Sequence, residues 1–172
     1  METPGQPDIT GIPIPTRQTM ITISRQFKAG GHNVAERLVK RLGAEWEIHD
    51  KKLVDEMAES AQVRNRMVEV LDERTQSWIQ EVIRVLFKER VLEPLGYRRH
   101  LALVLLSLAH QGQKIIIGRG ANFILHDALN VRLEASEACR AQSLMDRDGI
   151  SRTDAVHLIH KRDQDRAAFT QT

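Results

Sequence analysis

The chain has 172 residues, of which 28% are charged, and its formal net charge is only +2. This length suits one domain with a sizeable core, and the near balance of charges excludes the long-range basic field of a nucleic-acid-binding or membrane-surface protein. The lone cysteine, Cys139, cannot form an internal disulfide, which is typical of a reducing, cytoplasmic compartment. The most apolar run, at residues 101–109, is about half the length of a membrane span and predicts a buried helix.

Residues 1–18 hold four of the five prolines and lack the basic start and the apolar run of a secretory signal. We therefore predict an extended tail over this stretch. A single domain is expected to follow at residues 19–172.

The first predicted elements are a strand, a loop and a helix. A β-branched run at residues 20–25 suits a strand buried on both faces, and apolar residues recur at helical spacing over residues 32–42. Between them, Gly30 and Gly31 lie in a loop whose N–H groups point at the mouth of the helix, where the helix dipole also favours negative charge. The loop is a candidate phosphate site; the alternative is a plain turn whose glycines only relieve backbone strain.

This loop departs from the standard phosphate-binding pattern, G-x-x-x-x-G-K-[ST]. Aligned with that pattern, Arg25 replaces the first glycine, Gly31 replaces the lysine and His32 replaces the Ser/Thr, while Gly30 keeps the second glycine. Both side chains that normally hold phosphate and magnesium are therefore missing.

The next stretch is predicted to be mostly helical. A short strand is expected at residues 45–49, after which Asp50 serves either as the N-cap of a helix beginning at Lys51 or as a ligand contact. Apolar spacing over residues 63–92 predicts one long amphipathic helix or two helices in line, and residues 97–110 predict a buried helix.

A continuous isoleucine strand is predicted at residues 114–117, directly before Gly118, Arg119 and Gly120. The carboxyl end of a central strand is where open α/β sheets bind ligands, and a guanidinium there suits an oxyanion. The alternative is a tight turn with an exposed arginine. A further strand is expected at residues 129–133, followed by helices that open at Ser136 and Ser151.

On the last predicted helix, Arg162 and Arg166 are one turn apart and can reach the same phosphate, unless they belong to a solvated helix face. The alternation of strands and helices along the chain predicts an α/β fold with a doubly wound parallel sheet.

Three of these segments together resemble the cytidylate kinase-like family, a branch of the P-loop nucleoside monophosphate kinases. Residues 21–32 are similar to its altered phosphate loop, in which glycine likewise replaces the lysine. Residues 117–133 look like its second signature, a glycine-flanked arginine between two strands, and residues 147–166 resemble its lid.

The resemblance implies a P-loop fold with a helical monophosphate-binding insertion near residues 50–99 and a lid near residues 149–166. It also implies phosphoryl transfer from ATP, with Mg²⁺, to a nucleoside monophosphate such as CMP or dCMP. Asp50 and Arg119 would bind the acceptor in that case. The residues implied around the donor phosphates are Arg25, Lys28, Gly30, Gly31, His32 and Asn33, and those closing over the transferring group are Arg162 and Arg166.

Catalysis would depend on positive charge from Arg25, Lys28, Arg162 and Arg166, because phosphoryl transfer needs electrostatic stabilisation more than covalent chemistry. Lys28 stands where the family loop more often has glycine, so it either fills the phosphate cradle or replaces the lost cation.

Two other functions stay open. The missing loop lysine suits a catalytically weak or inactive nucleotide-binding regulator. The apolar face of residues 63–92 suits an oligomerisation module, a homodimer through the helical insertion, or else packing within its own chain.

Overall fold

A computed structural model describes residues 19–87 and 95–171, so the tail predicted at residues 1–18 lies outside the described residues. The described chain has an α/β fold built on an all-parallel sheet of four strands, in the order β2-β3-β1-β4. The strands are β1 Met20–Arg25, β2 Glu47–His49, β3 Lys114–Ile117 and β4 Leu129–Leu133. The bounds predicted for β3 and β4 are the observed ones, and β2 is two residues shorter than predicted.

Helices occupy most of the rest of the described chain. Among the described residues, no helix is long and apolar enough to cross a membrane. The helices are α1 Gly31–Leu42, α2 Lys51–Glu59, α3 Ala61–Glu69, α4 Glu73–Leu86, α5 Leu95–Gln111, α6 Ala121–Ile124, α7 Glu137–Asp148 and α8 Arg152–Gln171.

The sheet separates two apolar clusters. Alternate strand residues, such as Ile23 and Ile117, pack with Val34 and Leu38 of α1. Ile116 belongs instead to a larger cluster built mainly by α2 to α5. This division follows from the two-residue period of a strand, which sends successive side chains to opposite faces. The doubly wound arrangement and the role of residues 50–99 as an insertion stay predictions.

The apolar segment predicted at residues 63–92 forms two helices over its described part. The break between α3 and α4 lies just before Asp72. The carboxylate of Asp72 accepts a hydrogen bond from the Thr75 N–H at 2.9 Å and caps α4. Ile79 and Val82 of α4 are about 1% exposed and pack inside this chain. The homodimer expected through this face stays a prediction, and residues 88–92 lie outside the described residues.

Helices α7 and α8 form a hairpin with a small core of their own. Leu144 from α7 meets Ile159 from α8, and Phe27 from the loop after β1 packs against the same cluster. The side chain of Ser151 accepts a hydrogen bond from the Asp154 N–H at 3.1 Å, as the capping box predicts. The helix continues to Gln171 because neither glycine nor proline follows Ser151.

Parallel pairing brings the carboxyl ends of three strands to one edge of the sheet. Ile23 of β1 lies opposite both Ile117 of β3 and Val131 of β4. The segments that leave these strands therefore begin side by side, and this is the edge at which open α/β sheets bind ligands.

Candidate functional site

A cleft of about 660 Å³ opens at this edge between the strand ends and α8. Residues from the ends of β1 and β4, the loop after β3, the start of α2 and one side of α8 line it. Two of its carboxylates come from Asp163 and Asp165 on α8. Its basic side chains outnumber them: Arg25, Lys51, Arg119, Arg132, Arg162 and Arg166.

Arg25, the last residue of β1, threads between two glycines from different motifs. A Cβ built on Gly31 would lie 3.3 Å from both Cγ and Cδ of Arg25. A Cβ on Gly118 would overlap Nη1 of the same guanidinium. The φ angle of Gly118 is +85°, a conformation that already favours glycine. The two glycine motifs thus make room for one arginine.

The charge of Arg25 is poorly compensated by the protein. Burial lowers its pKa to about 10, and the neighbouring guanidinium of Arg166 acts in the same direction, while Asp50 opposes the shift. Within the described ranges, no carboxylate forms an ion pair with Arg25. A half-buried guanidinium without a counter-ion stabilises an anion that enters the cleft.

Arg119 lies in a turn of three consecutive left-handed residues. Gly118, Arg119 and Gly120 have φ angles of 85°, 57° and 64°. This conformation is costly for a residue with a side chain, and strain of this kind concentrates at ligand sites. The turn reverses the chain directly after β3 and holds Arg119 in the cleft.

The guanidinium of Arg119 has partners on two sides. Its Nη2 is hydrogen-bonded to Oδ2 of Asp55 on α2 in an ion pair, and its Cζ lies 4.9 Å from the ring centre of Phe169 on α8. Its Nε is buried and has no hydrogen-bond partner in the described part of the chain. A buried donor of this kind is costly unless satisfied, and an oxyanion in the cleft would satisfy it.

Helix α8 is fastened to the loop that follows β1. Arg166 donates from Nη1 to the carbonyl oxygen of Arg25 at 3.1 Å, and its guanidinium lies 5.4 Å from the ring centre of Phe27. The Phe27 N–H donates to Oδ1 of Asp163 at 2.6 Å. The other carboxylate oxygen of Asp163 pairs with Nη1 of buried Arg140 at 2.5 Å. One carboxylate therefore connects α8, α7 and the loop.

Burial opposes ionisation of Asp163, but the hydrogen bonds from Phe27 and Arg140 outweigh it and lower the pKa of this carboxyl. The carboxylate therefore stays charged and acts as an anion bound to a loop N–H.

The structure brings four of the predicted residues, Arg25, Arg119, Arg162 and Arg166, into one cleft. Asp50 lies beside this group: its carboxylate caps α2 by accepting the Leu53 N–H at 3.0 Å. The N-cap alternative for this residue is thus the interaction that the structure shows.

The glycine loop contributes less to the cleft than expected. Lys28, whose side chain is 17% exposed, pairs with Asp148 of α7 at 3.5 Å. Gly30 lies in the left-handed conformation before α1, and His32 pairs with Glu36 at 3.4 Å. Five of the predicted residues do not line the described part of the cleft: Lys28, Gly30, Gly31, His32 and Asn33.

Sequence reasoning missed several residues at or behind the cleft. Lys51 follows the strand-end Asp50, so its place could have been found by the same argument. Arg132 could have been found from the register of β4 beside β1, where it pairs with Ser24. No local pattern links Tyr97 to Asp55 or Phe169 to Arg119, because these contacts depend on tertiary packing.

The fold and the site together define an α/β protein with an all-parallel sheet and a cation-lined cleft at the carboxyl edge of its strands. The chain belongs to the cytidylate kinase-like family, whose model matches residues 20–172. The family is kinase-like, and kinases in general use a nucleotide and a metal ion.

Among solved structures, the chain is similar to the crystal structure of an uncharacterized protein from Eubacterium ventriosum, with 20% identity and a TM-score of 0.56. The match covers 89% of this chain and 76% of that one, and at this identity it concerns the fold alone. A search of curated proteins finds no match.

Proposed function

We propose that this protein transfers the terminal phosphoryl group of ATP to a nucleoside monophosphate, with CMP and dCMP as the first acceptors to test. The observation that carries the proposal is the convergence of Arg25, Arg119, Arg162 and Arg166 on one cleft, from three separate parts of the chain. Family membership supports it. The proposal includes a doubly wound P-loop fold with an acceptor-binding insertion near residues 50–99 and a lid near residues 149–166.

The arrangement suits the chemistry of phosphoryl transfer. Negative charge spreads over the oxygens of the moving group, and catalysis depends on positioning and on fixed positive charge around it. One well-placed arginine contributes roughly 10³ to 10⁵ in rate. Four arginines in a half-enclosed cleft can offset much of the negative charge on the phosphates of two nucleotides without the usual loop lysine, and a Mg²⁺ ion bound with ATP would offset more of it.

The position of each arginine suggests its role. Arg119 is held by Asp55 of α2 and faces the proposed insertion, so it is assigned to the acceptor phosphate. Arg25 is close enough to both Arg166 and Arg119 for their charges to act on its pKa, so it is assigned to the transferring group. Arg162 and Arg166 arrive on α8 and would leave with it when the lid opens.

The residues at the cleft fit a metal ion held mainly by the nucleotide. Within the described ranges, no three His, Cys, Asp or Glu side chains are grouped to hold a metal. Mg²⁺ is usually bound by one or two carboxylates together with substrate phosphates. Asp163 is already bonded to Phe27 and Arg140, so Asp165 is the cleft carboxylate suited to it. The ion would neutralise phosphate charge.

A specific observation favours the second candidate, a nucleotide-binding regulator with little or no catalysis. The nearest loop cation, Lys28, pairs with Asp148 instead of lining the cleft. The loop N–H of Phe27 is bonded to a protein carboxylate. Such a loop holds a nucleotide but supplies less transition-state charge than a standard one.

One experiment separates the two candidates. The protein is incubated with ATP, MgCl₂ and each common nucleoside monophosphate. ³¹P NMR then follows both the loss of the monophosphate and the formation of diphosphate. Arg162→Ala is compared with Arg37→Ala, which removes an exposed arginine from α1. Diphosphate formation that Arg162→Ala abolishes and Arg37→Ala retains supports the kinase.

Thermal stabilisation by nucleotide without any diphosphate supports the regulator, because a ligand that binds only the folded state raises the melting temperature. If no nucleotide gives product or raises the melting temperature, both candidates are contradicted.

A further inference from the structure

Asp55 of α2 bonds directly to Arg119, one of the arginines that line the cleft. Its side chain is 20% exposed, and each of its oxygens has a different partner. Oδ2 accepts from Nη2 of Arg119, while Oδ1 accepts from the Tyr97 hydroxyl at 2.5 Å. One carboxylate thus joins α2, α5 and the turn after β3.

The hydroxyl of Tyr97 is a committed donor to Asp55. Burial raises the pKa of Tyr97 well above its usual value, and its hydrogen bond to Asp55 acts in the same direction. The phenol therefore stays protonated and keeps one carboxylate oxygen in place. A carboxylate fixed at one oxygen restricts the positions that a guanidinium bonded to the other can take.

The turn after β3 places Arg119 in the cleft, and contacts of its side chain fix the orientation of its guanidinium. The residue lies between two glycines, and its side chain is only 13% exposed. The Phe169 ring covers the guanidinium from α8, whereas Asp55 bonds it from α2. These contacts leave its Nε without a partner among the described residues.

We propose that Asp55 and Tyr97 are positioning residues that hold Arg119 so that its remaining N–H groups meet the phosphate of the acceptor nucleotide. This inference rests on the proposed function, because that function assigns the acceptor phosphate to Arg119. Asp55 and Tyr97 do not touch the phosphate themselves. Their effect reaches it through the orientation of the guanidinium.

The competing explanation is purely structural, namely that the ion pair only ties α2 and α5 to the sheet. Electrostatics separates the two explanations. Asp55→Asn removes a negative charge beside an anion site, so Coulomb's law alone predicts tighter binding of a phosphate. Positioning predicts weaker binding, because an amide holds the guanidinium less firmly than a carboxylate does.

The test uses ¹⁵N-labelled full chain and three variants. Asp55→Asn breaks the charge pair, and Tyr97→Phe removes only the hydroxyl that fixes Asp55. Glu56→Gln is the matched control, since Glu56 lies next along α2 with a 61% exposed side chain whose partner is Lys52. CMP affinity and ATP affinity are measured by calorimetry, and the Nε–H signal of Arg119 is followed by NMR.

Asp55→Asn is expected to weaken CMP binding about tenfold, as the loss of a charge-assisted hydrogen bond does, with ATP affinity unchanged. Tyr97→Phe is expected to cause a smaller loss. The NMR order parameter of the Arg119 Nε–H bond should fall in Asp55→Asn and stay unchanged in Glu56→Gln. Unchanged order in Asp55→Asn, or CMP binding as tight as in the original chain, overturns the inference.

Failure of the proposed function gives a different result. If the original chain binds no nucleoside monophosphate, the kinase proposal falls, and with it the part of this inference that concerns the acceptor. The NMR signal still decides whether Asp55 and Tyr97 order Arg119. Melting temperatures of all variants separate a lost orientation from a lost fold.

Discussion

The guanidinium of Arg25 lies against Gly118, at a distance that leaves no room for a Cβ on residue 118. Gly118 begins the turn that carries Arg119, so two of the arginines in the cleft depend on the same backbone position. Any side chain at position 118 must move Arg25, change the turn, or both.

We expect Gly118→Ala to reduce nucleotide binding through displacement of Arg25. The backbone cost of a positive φ is on the order of 1 kcal/mol, and the overlap with the guanidinium adds to it. Gly149→Ala is the matched control, because Gly149 has a φ of +66° but open space where its Cβ would be. Unfolding free energies and calorimetric ATP affinity measure the difference.

A double variant isolates the overlap. Combining Gly118→Ala with Arg25→Ala removes the atom that the new methyl group meets. The double variant should therefore lose less stability than the sum of the losses in the two single variants. Strict additivity in chemical denaturation would show that Arg25 and residue 118 do not interact.

The sequence predicts the strands of this fold well and the site only in part. The isoleucine run at residues 115–117 predicts a strand buried on both faces because its three residues are all apolar. Arg119 could be placed from sequence because the end of a central strand has a fixed position in the sheet. Lys28 could not, because its pairing with Asp148 depends on how the α7–α8 hairpin packs.

Asp163 is predicted to control how firmly α8 closes on the loop. Asp163→Ala removes the acceptor of the Phe27 N–H and leaves buried Arg140 without its charge partner, at a cost on the order of 2 kcal/mol. We expect faster amide hydrogen exchange over α8 and at Phe27. Asp165→Ala, two residues along the same helix, should leave both exchange rates nearly unchanged. Equal exchange in the two variants would contradict the connecting role of Asp163.

His49 is expected to make stability depend on pH. Burial lowers the pKa of this imidazole, although the hydrogen bond with Glu47 opposes the shift. Since the unfolded chain then binds a proton that the folded chain resists, stability is fully present above about pH 6.5 and falls as the pH drops below it. His49→Gln should remove part of this fall, measured by urea denaturation at pH 5 and pH 7.5. His126→Gln, at an exposed position, is the control, and an identical fall in both variants would exclude His49 as the cause.

Arg162 and Arg166 are expected to differ although both line the cleft. Arg166 donates to the Arg25 carbonyl and stacks on Phe27, so Arg166→Ala should cost about 1 kcal/mol of unfolding free energy as well as nucleotide affinity. Arg162 is exposed and forms no ion pair with a described residue, so Arg162→Ala should lower ATP affinity at nearly unchanged stability. Denaturation and calorimetry on the same preparations give both quantities. A loss of stability in Arg162→Ala as large as in Arg166→Ala would show that α8 is held in place by both arginines, and not by Arg166 together with Asp163.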